Sequence, residues 1–474
     1  MNNTNNKSNA TGNAEGISLS AKSFILSIVV IFILMVVCYI LTFIIPGGQY
    51  PRIVNSDGNT IIDTSGAFTY VEGGISFWKW LLSPFLVLGA SGGSMLIAVL
   101  IFLLVIGGIF NSLEISGLMK YMLDVLTHKF GASRYKLMAI LIFFFMAMGS
   151  LIGSFEEIIP MVPIVCVLAV SLGWDTITGF AMSLLAVGCG FAAGVCNPFT
   201  IGVAQKLSGL PMFSGIWLRA VAFVLIYILL LLFVRGHAKK IEKPVTFDNS
   251  NFTKNPKYKK GLIAFGSIVG IGILIVLMSS FITVLQDYTM IIVAVMFLIA
   301  GIVACLLSGM GSKNLAQSFG SGMLKIAPAI LMILMASSIK YILEESKILD
   351  TILHGAVGVA GTLPSWCVIL FIYLIVLLMN FFVSSGSAKA FMMIPLIVPI
   401  ANVFGISAQL CCMAYAFGDG FSNVFYPSNA GLLISLNLAD MSYGKWAKWS
   451  IKFQLCNLLL TSLILLFGLL VHYC

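Results

Sequence analysis

Four charged residues stand inside long apolar stretches, where an ionisable side chain is costly. They are Glu156, Glu157, Lys389 and Asp419. A charge at membrane depth normally marks a binding site, a proton relay or an internal ion pair. A glutamate there can bind a cationic solute, help to coordinate Na⁺ or carry a proton, and Glu157 can instead cap the following helix. Lys389 can pair with a substrate carboxylate, or it can neutralise Asp419 or a glutamate.

Short stretches of glycine and hydroxyl residues accompany these charges. Gly149-Ser-Leu-Ile-Gly-Ser154 precedes Glu156, and Ser384-Ser385-Gly386-Ser387 precedes Lys389. Each stretch interrupts an apolar region, 136–172 in the first case and 364–402 in the second. Irregular backbone at membrane depth is tolerated only where it is buried in protein or lines a cavity. We therefore expect these stretches to form the tips of two re-entrant hairpins.

Two further apolar regions, 176–208 and 406–436, are broken by Gly, Asn, Ser and Pro. Proline removes a backbone donor and stops helix continuation, so it leaves carbonyl groups that can coordinate a cation. The side-chain oxygens around the breaks are of the kind that hard cations such as Na⁺ prefer. The alternative is a kinked and packed helix without a ligand. The predicted substrate- and ion-binding residues are Ser154, Glu156, Glu157, Gly190, Asn197, Pro198, Thr200, Ser384, Ser385, Ser387, Lys389, Asp419, Asn423, Pro427, Ser428 and Asn429. A Na⁺ site is predicted near Ser154, Asn197, Ser385 and Asn423.

The composition decides the solvent in which these elements fold. Of the 474 residues, 60% are hydrophobic and only 9% are charged, against about 25% charged in soluble domains. This indicates a multi-pass membrane protein. The net charge of +9 comes from basic residues in the loops, which is the positive-inside pattern and argues against nucleic-acid binding. The sequence contains no P-loop, CxxC pair or Cys/His cluster, so we expect no ATP drive, no bound metal cofactor and no cofactor beyond a coupling ion.

Loop charges predict the orientation of the chain. The basic linker 236–260 and the segment 115–136 are expected in the cytoplasm, and the segments 47–75 and 344–350 outside. The loop charges are consistent with the number of membrane crossings if 136–172 and 364–402 are hairpins. About nine crossings then remain, with the N-terminus inside and the C-terminus outside. Residues 1–20 are expected to be disordered, followed by membrane halves 21–235 and 261–474 on either side of the linker. Asp175 is expected to cap the helix that follows it. The uninterrupted apolar runs lie near 23–46, 92–114, 212–235, 261–283, 287–307, 326–344 and 447–472.

The two halves repeat one pattern. Gly188-Cys-Gly-Phe191 and then Asn197-Pro198 in the first half match Gly418-Asp-Gly-Phe421 and then Tyr426-Pro427 in the second. The loop charges make the first copy enter from the cytoplasm and the second from outside. Inverted repeats with broken helices are typical of secondary transporters, whose site lies near the midplane. The predicted fold is therefore an all-α polytopic membrane protein with two inverted repeats, each containing a re-entrant hairpin and a discontinuous helix.

The motifs also resemble a known family. Ser154-Phe-Glu-Glu-Ile-Ile-Pro160, Asn197-Pro-Phe-Thr200, Ser384-Ser-Gly-Ser387 and Gly418-Asp-Gly420 are similar to those of the YfcC branch of the DcuC-type carriers, within the ion transporter superfamily. The resemblance implies a substrate and coupling ions bound between the hairpin tips and the unwound loops, an elevator-like movement and a homodimer. Its members include basic amino acid antiporters, arginine/ornithine exchangers and C4-dicarboxylate carriers. Lys389 stands where many relatives are expected to have a neutral polar residue, and an ammonium group can take the place of Na⁺ there.

These features predict a secondary transporter of a small charged metabolite in the cell inner membrane. We expect a symporter or antiporter coupled to Na⁺ or H⁺, or an exchanger. Three inferred midplane acids against one lysine favour a cationic or zwitterionic amino acid such as arginine or ornithine, with a C4-dicarboxylate or other carboxylate as the alternative. A membrane-embedded enzyme would need a catalytic cluster that the sequence does not show, so we expect no enzymatic activity. An ion channel would favour a continuous pore in a symmetric oligomer.

Overall fold

The computed structural model describes residues 21–474 apart from 55–59, 63–66, 91–92, 131–132, 154, 156–157, 212, 244–254, 280–288 and 361–362. The predictions for residues 1–20, Ser154, Glu156 and Glu157 lie outside these described residues.

The described chain is almost entirely helical, because a segment surrounded by lipid must satisfy its backbone groups internally. The helices up to the basic linker are α1 (Ala21–Ile44), α2 (Phe77–Leu86), α3 (Gly93–Ile115), α4 (Leu118–Phe130), α5 (Arg134–Ala147), α6 (Met161–Ser171), α7 (Thr176–Phe180), α8 (Ala186–Ala193), α9 (Val203–Leu207) and α10 (Ile216–Ile241). Those after it are α11 (Pro256–Ser279), α12 (Thr289–Leu307), α13 (Ser312–Glu345), α14 (Leu349–Ala360), α15 (Ser365–Phe382), α16 (Gly386–Val403), α17 (Ala408–Gly420), α18 (Ala430–Leu438) and α19 (Tyr443–Leu470).

Wider and tighter turns interrupt the helices near the breaks. π-helical turns occupy Met148–Ile152, Ala181–Leu185 and Pro198–Gly202, and 3₁₀ turns occupy Val87–Gly89 and Phe421–Val424. Four short strands form two antiparallel pairs, β1 (Gly48–Gln49) with β4 (Thr69–Tyr70) and β2 (Arg52–Val54) with β3 (Thr60–Ile62). These strands are an addition to the all-α prediction.

Among the described residues, seven helices are long and apolar enough to cross a membrane. The structure departs from the apolar runs at two places. Helix α10 continues to Ile241, inside the predicted linker 236–260. Helix α13 is 34 residues long and begins at Ser312, well before the predicted run 326–344. Its first part packs on α3, where Lys325 Nζ donates to Asn111 Oδ1 at 2.7 Å.

Both flanks of the region 136–172 lie at one end of the helix bundle. Arg134 Nη1, at the start of α5, donates to the carbonyl of Leu172 at 2.9 Å, just after α6. Arg134 also pairs with Glu242, and the backbone nitrogen of Lys243 donates to the carbonyl of Gly173 at 2.9 Å. The end of the segment 115–136 and the start of the linker 236–260, which were both predicted to be cytoplasmic, are therefore neighbours.

Asp175 caps α7 at the same end, as predicted. Its Oδ1 accepts from the backbone nitrogen of Thr178 at 2.8 Å and from the Thr178 hydroxyl at 2.7 Å. His237 Nε2 lies 3.1 Å from Asp175 Oδ2. Burial raises the pKa of Asp175, but the hydrogen bonds from His237 and Thr178 outweigh burial and leave the pKa below its usual value.

At the opposite end of the helix bundle, the segments that follow α9 and α16 contact each other. Gln205 Nε2 donates to Gln409 Oε1 at 2.7 Å, and Gln409 Nε2 donates to Ser214 Oγ at 2.6 Å. Tyr473 donates to the carbonyl of Gly215. Helix α10 joins the two ends with 26 residues, or about 39 Å at 1.5 Å per residue. The described C-terminal residues and the start of the basic linker are thus at opposite ends.

The two segments that were predicted to lie outside pack on each other. Tyr50 and Arg52 both contact Asp350, at 3.0 Å in each case. Lys79 Nζ lies 2.5 Å from Glu345 Oε1. These contacts place the described residues of 47–75 next to the segment 344–350, which agrees with the common charge pattern of the two segments.

The helices form two packed groups. One contains α1 to α4 with α11 to α13, and the other contains α5 to α10 with α15 to α19. Contacts between the groups are made by α13 with α18, by α13 with α15, and by α4 with α6. All of α8 is buried, as is α17 from Gln409 to Gly420. These two helices contact each other and end at the predicted breaks.

Candidate functional site

The two broken helices meet through glycines. Helix α8 ends at Gly194, which has a positive φ of 50°, and the chain unwinds before Pro198. Helix α17 ends at Gly420, and α18 begins only at Ala430. A Cβ atom added at Gly420 would lie 2.1 Å from the backbone nitrogen of Ala192, so only glycine permits this approach.

The first tip lies against the first break. Ser150 Oγ accepts from the backbone nitrogen of Val195 at 3.1 Å, and the carbonyl of Ser150 accepts from that of Cys196 at 3.0 Å. Gly153 has a φ of 77°, and a Cβ atom there would lie 2.3 Å from Asn197 Oδ1. Ser150 therefore holds the unwound backbone at 195–196 in place, and the lack of a side chain at Gly153 lets Asn197 approach the tip.

The second tip brings a buried ion pair to the second break. Lys389, in the first turn of α16, and Asp419, in the last turn of α17, are both 0% exposed. Lys389 Nζ lies 2.5 Å from Asp419 Oδ1 and also donates to Asn380 Oδ1. Tyr415 flanks the pair, with its ring centroid 5.8 Å from Nζ. Of the alternatives for Lys389, the structure shows the internal pair with Asp419.

Asn380, the last polar residue of α15, ties the tip to the break. Its Nδ2 donates to the carbonyl of Asp419 at 3.1 Å, to Ser422 Oγ at 2.6 Å and to Asn423 Oδ1 at 2.9 Å. Asn429 Nδ2 also donates to Asn423 Oδ1, at 3.0 Å. Asn380 was absent from the predicted set, although it is the only amide side chain in the apolar run before Ser384.

Three of the predicted binding residues cap helices. Asn197 Oδ1 accepts from the backbone nitrogens of Phe199 at 2.9 Å and Thr200 at 3.3 Å. Ser385 Oγ accepts from that of Ala388 at 3.5 Å, and Asn429 Oδ1 accepts from that of Leu432 at 3.1 Å. The oxygens of Asn197 and Asn423 that were predicted near Na⁺ thus each accept two N–H groups. Capping satisfies backbone donors at the ends of these half-helices.

Three buried oxygens of the predicted set have no hydrogen-bond partner among the described residues: Thr200 Oγ1, Asp419 Oδ2 and Ser428 Oγ. Two of these residues adjoin Gly386, because a Cβ atom there would lie 2.7 Å from Asp419 Oδ2 and 2.9 Å from Thr200 Cγ2. Buried oxygens are nearly always paired with protein or ordered water. Unpaired ones beside both breaks are therefore candidates for contact with a solute, ion or water.

The remaining predicted residues have less specific surroundings. Gly190 packs α8 on α5, since a Cβ atom there would lie 1.9 Å from the carbonyl oxygen of Met146. Pro427 is buried, Ser384 and Ser387 are half-buried, and the side chain of Pro198 lies outside the described part. Next to the undescribed Glu156, Phe155 contacts Gly431 at the start of α18. Each tip therefore touches the broken helix of the other half.

Sequence reasoning also missed the donors that satisfy the breaks. Arg219, which is 0% exposed in α10, donates through Nε and Nη2 to the carbonyl of Val195 at 3.3 and 3.2 Å. Trp446, also 0% exposed, donates from α19 to the carbonyl of Val424 at 2.7 Å. An arginine inside the apolar run 212–235 was the available signal for the first contact.

The chain matches a known carrier family over most of its length. The DcuC family, described as C4-dicarboxylate anaerobic carrier, matches residues 24–470. The chain belongs to the DcuC family. Together with the apolar helices, this membership makes it a multi-pass membrane protein of a carrier family.

The curated relatives are moderately similar. The chain is 30% identical over 379 residues to the Escherichia coli (strain K12) protein named "Putative basic amino acid antiporter YfcC", covering 74% of this chain and 73% of the relative. It is 24% identical over 381 residues to an uncharacterized protein of Haemophilus influenzae (strain ATCC 51907 / DSM 11121 / KW20 / Rd), covering 77% and 74%. The resemblance to the YfcC branch is thus confirmed.

Solved transporter structures are similar at lower identity. The Alcanivorax borkumensis YdaH transporter is 17% identical with a TM-score of 0.42, covering 94% of this chain and 98% of the other. Neisseria gonorrhoeae MtrF, described among antimetabolite efflux pumps, is 16% identical with a TM-score of 0.44, covering 93% and 94%.

Proposed function

We propose that this protein is a secondary active transporter of a small charged metabolite, and that its site lies where the two tips meet the two breaks. One observation carries the proposal. Around the contact between α8 and α17, the structure gathers both tips, the buried Lys389–Asp419 pair and the unpaired oxygens of Thr200 and Asp419. Buried polar groups of this kind inside a membrane bundle are characteristic of solute pathways.

We further propose that 136–172 and 364–402 are re-entrant hairpins. The hydrogen bond from Arg134 to Leu172 supports the first, because it joins the two flanks at one end of the bundle. Helices α15 and α16 support the second, because only Val383–Ser385 connect them and they contact each other.

An inverted repeat is supported by matching contacts at the breaks. Val195 and Val424 each lie three residues before a proline, Pro198 or Pro427. The carbonyl of Val195 accepts from Arg219, 24 residues later, and that of Val424 accepts from Trp446, 22 residues later. The carbonyl groups at corresponding positions of the two halves thus accept hydrogen bonds from the long helix after each break, α10 or α19.

For the substrate, we propose a basic or zwitterionic amino acid such as arginine or ornithine. Because Lys389 and Asp419 neutralise each other, the acidic charge available to a cationic substrate is assigned to Glu156 and Glu157. The name of the Escherichia coli relative supports this choice. A C4-dicarboxylate is the second candidate, and the description of the family favours it.

The remaining parts of the mechanism are also proposals. The transporter acts in the cell inner membrane as a homodimer, with the N-terminus in the cytoplasm. Transport is coupled to Na⁺ or H⁺, or runs as exchange. The two helix groups move relative to each other in an elevator-like manner, with α13–α18, α13–α15 and α4–α6 among their contacts.

Purified protein in liposomes tests the proposal. Vesicles loaded with arginine, ornithine or succinate are assayed for counterflow and for uptake under imposed Na⁺, pH and voltage gradients. We expect concentrative or exchange-dependent uptake that Glu156→Gln, Asp419→Asn and Asn197→Ala strongly reduce, whereas Lys239→Ala in the basic segment leaves it unchanged. Purely downhill flux without counterflow would contradict a transporter. Full uptake in all three site variants would contradict the site.

A further inference from the structure

The environment of the Lys389 ammonium group is that of a bound cation. Its Nζ atom donates to a carboxylate oxygen of Asp419 at 2.5 Å and to the amide oxygen of Asn380. The face of Tyr415 lies on another side, with 5.8 Å from its ring centroid to Nζ. Carboxylate oxygens, amide oxygens and aromatic faces all stabilise a positive charge.

The orientation of Asn380 is fixed by its other contacts. Its Nδ2 atom faces three acceptors, namely the carbonyl of Asp419, Ser422 Oγ and Asn423 Oδ1. Turning the amide round would place Oδ1 against these oxygens and the amide nitrogen against the lysine. The Oδ1 atom therefore points at Nζ whether or not a charge is present there.

Asp419, Asn380 and Tyr415 form a cage around Nζ, and it lacks any other source of positive charge among the described residues. Asp419 is 0% exposed and its only ion-pair partner in the described part of the chain is Lys389. Its Oδ2 atom has no hydrogen-bond partner there. A buried carboxylate without a counter-charge is strongly unfavourable. The charged form of Asp419 consequently requires a cation beside it, and the chain supplies this cation covalently.

The cage also lies between elements that are separate in sequence. Asn380 lies in the last turn of α15, Lys389 lies in the first turn of α16, and Asp419 lies in the last turn of α17. A cation at this point links the second tip to the second break. Lys389 makes the same link without an exchangeable ion.

We propose that Lys389 is a tethered counter-cation that occupies a small-cation site formed by Asp419 and Asn380. The second half of the transporter therefore binds no exchangeable coupling cation at this position. Replacing Lys389 by a small neutral residue opens the position to a small monovalent cation such as Na⁺ or NH₄⁺. This inference deepens the proposed function, since it assigns one potential coupling site to a side chain.

The test measures thermal unfolding of the purified full-length protein in detergent, so it needs neither substrate nor transport. Wild type, Lys389→Ala and Lys389→Ala/Asp419→Asn are compared in NaCl, KCl, NH₄Cl and choline chloride at one ionic strength. A cation that binds only the folded state raises the unfolding midpoint in a saturable way. For Lys389→Ala we expect a rise of about 2 °C or more in at least one small cation over choline. This rise is counted beyond any rise that wild type shows in the same cation, and the double variant lacks it.

Two results obtained with folded protein would overturn the inference. One is a folded Lys389→Ala protein whose midpoint is the same in every salt. The other is an equal rise in Lys389→Ala/Asp419→Asn, which would place the cation elsewhere. If Lys389→Ala folds only when Na⁺ or NH₄⁺ is present during purification, the inference is supported. If it fails to fold in every salt while the double variant folds, the cage does not accept a mobile cation and the inference is wrong. A lack of transport in liposomes would refute the proposed function and leave these results unaffected.

Discussion

Removing one charge of the Lys389–Asp419 pair is expected to destabilise the protein more than removing both. The two side chains are 0% exposed and their charged atoms lie 2.5 Å apart, so each charge depends on the other for its stabilisation. Breaking a buried pair from one side costs about 3–5 kcal/mol, whereas replacing both partners by neutral groups is often close to neutral. The double variant Lys389→Met/Asp419→Asn is therefore expected to be more stable than either single variant.

The contacts also rank the two single variants. Lys389→Met removes the ammonium from both Asp419 Oδ1 and Asn380 Oδ1, and it adds an unsatisfied amide acceptor worth about 1–3 kcal/mol. Asp419→Asn retains an oxygen that can accept from Nζ, so its cost is smaller. At about 2–4 °C per kcal/mol, we expect Lys389→Met to lower the unfolding midpoint by about 6 °C or more.

Thermal unfolding of the four proteins in one detergent at pH 7 and in choline chloride measures this cycle. Lys445→Met in α19, where the lysine is exposed, is the matched control for loss of a lysine charge and should leave the midpoint nearly unchanged. The reasoning would be refuted if the two single losses simply added in the double variant, because additivity means that the charges do not stabilise each other.

Three further predictions concern packing, pH and topology. Gly420→Ala should abolish transport or folding, because its Cβ would lie 2.1 Å from a backbone nitrogen of α8, while Gly444→Ala has open space around it and should behave as wild type in uptake assays. Because the pKa of Asp175 is lowered, its contribution to stability is present above its unfolded pKa and is lost as the pH falls through the lower folded value. Asp175→Asn should therefore flatten the acid limb of a plot of midpoint against pH, and an unchanged limb would contradict this assignment. In a background without other cysteines, an impermeant maleimide should label Lys240→Cys and the native Cys474 from opposite sides of the membrane. Labelling from one side would contradict the path of α10.

Sequence alone was informative wherever the signal is local. Runs such as 447–472 predicted α19 because uninterrupted apolar residues in lipid have few alternatives to a helix. The breaks near Pro198 and Pro427 were found because glycine and proline act on the backbone at their own positions. Asp175 was recognised as a cap for the same reason.

The remaining features depend on contacts between distant residues. Sequence could not decide whether Lys389 pairs with Asp419, a glutamate or a substrate, because the choice rests on how α16 packs on α17. An asparagine at position 197 looks the same in the sequence whether its side chain caps a helix or binds an ion. The first part of α13 escaped detection because it is polar, and its packing on α3 stabilises the helix there.

The contacts of Arg219 and Trp446 limit which parts of the protein can be displaced independently. If the unwound segments shifted while α10 and α19 stayed in place, the carbonyls of Val195 and Val424 would each lose their side-chain donors. Each stranded carbonyl would cost about 1–3 kcal/mol, a penalty incurred at every cycle. We therefore expect α10 and α19 to move together with the breaks as one rigid body. The boundary between the moving and the fixed parts of the protein then lies beyond these two helices, and not between them and the substrate.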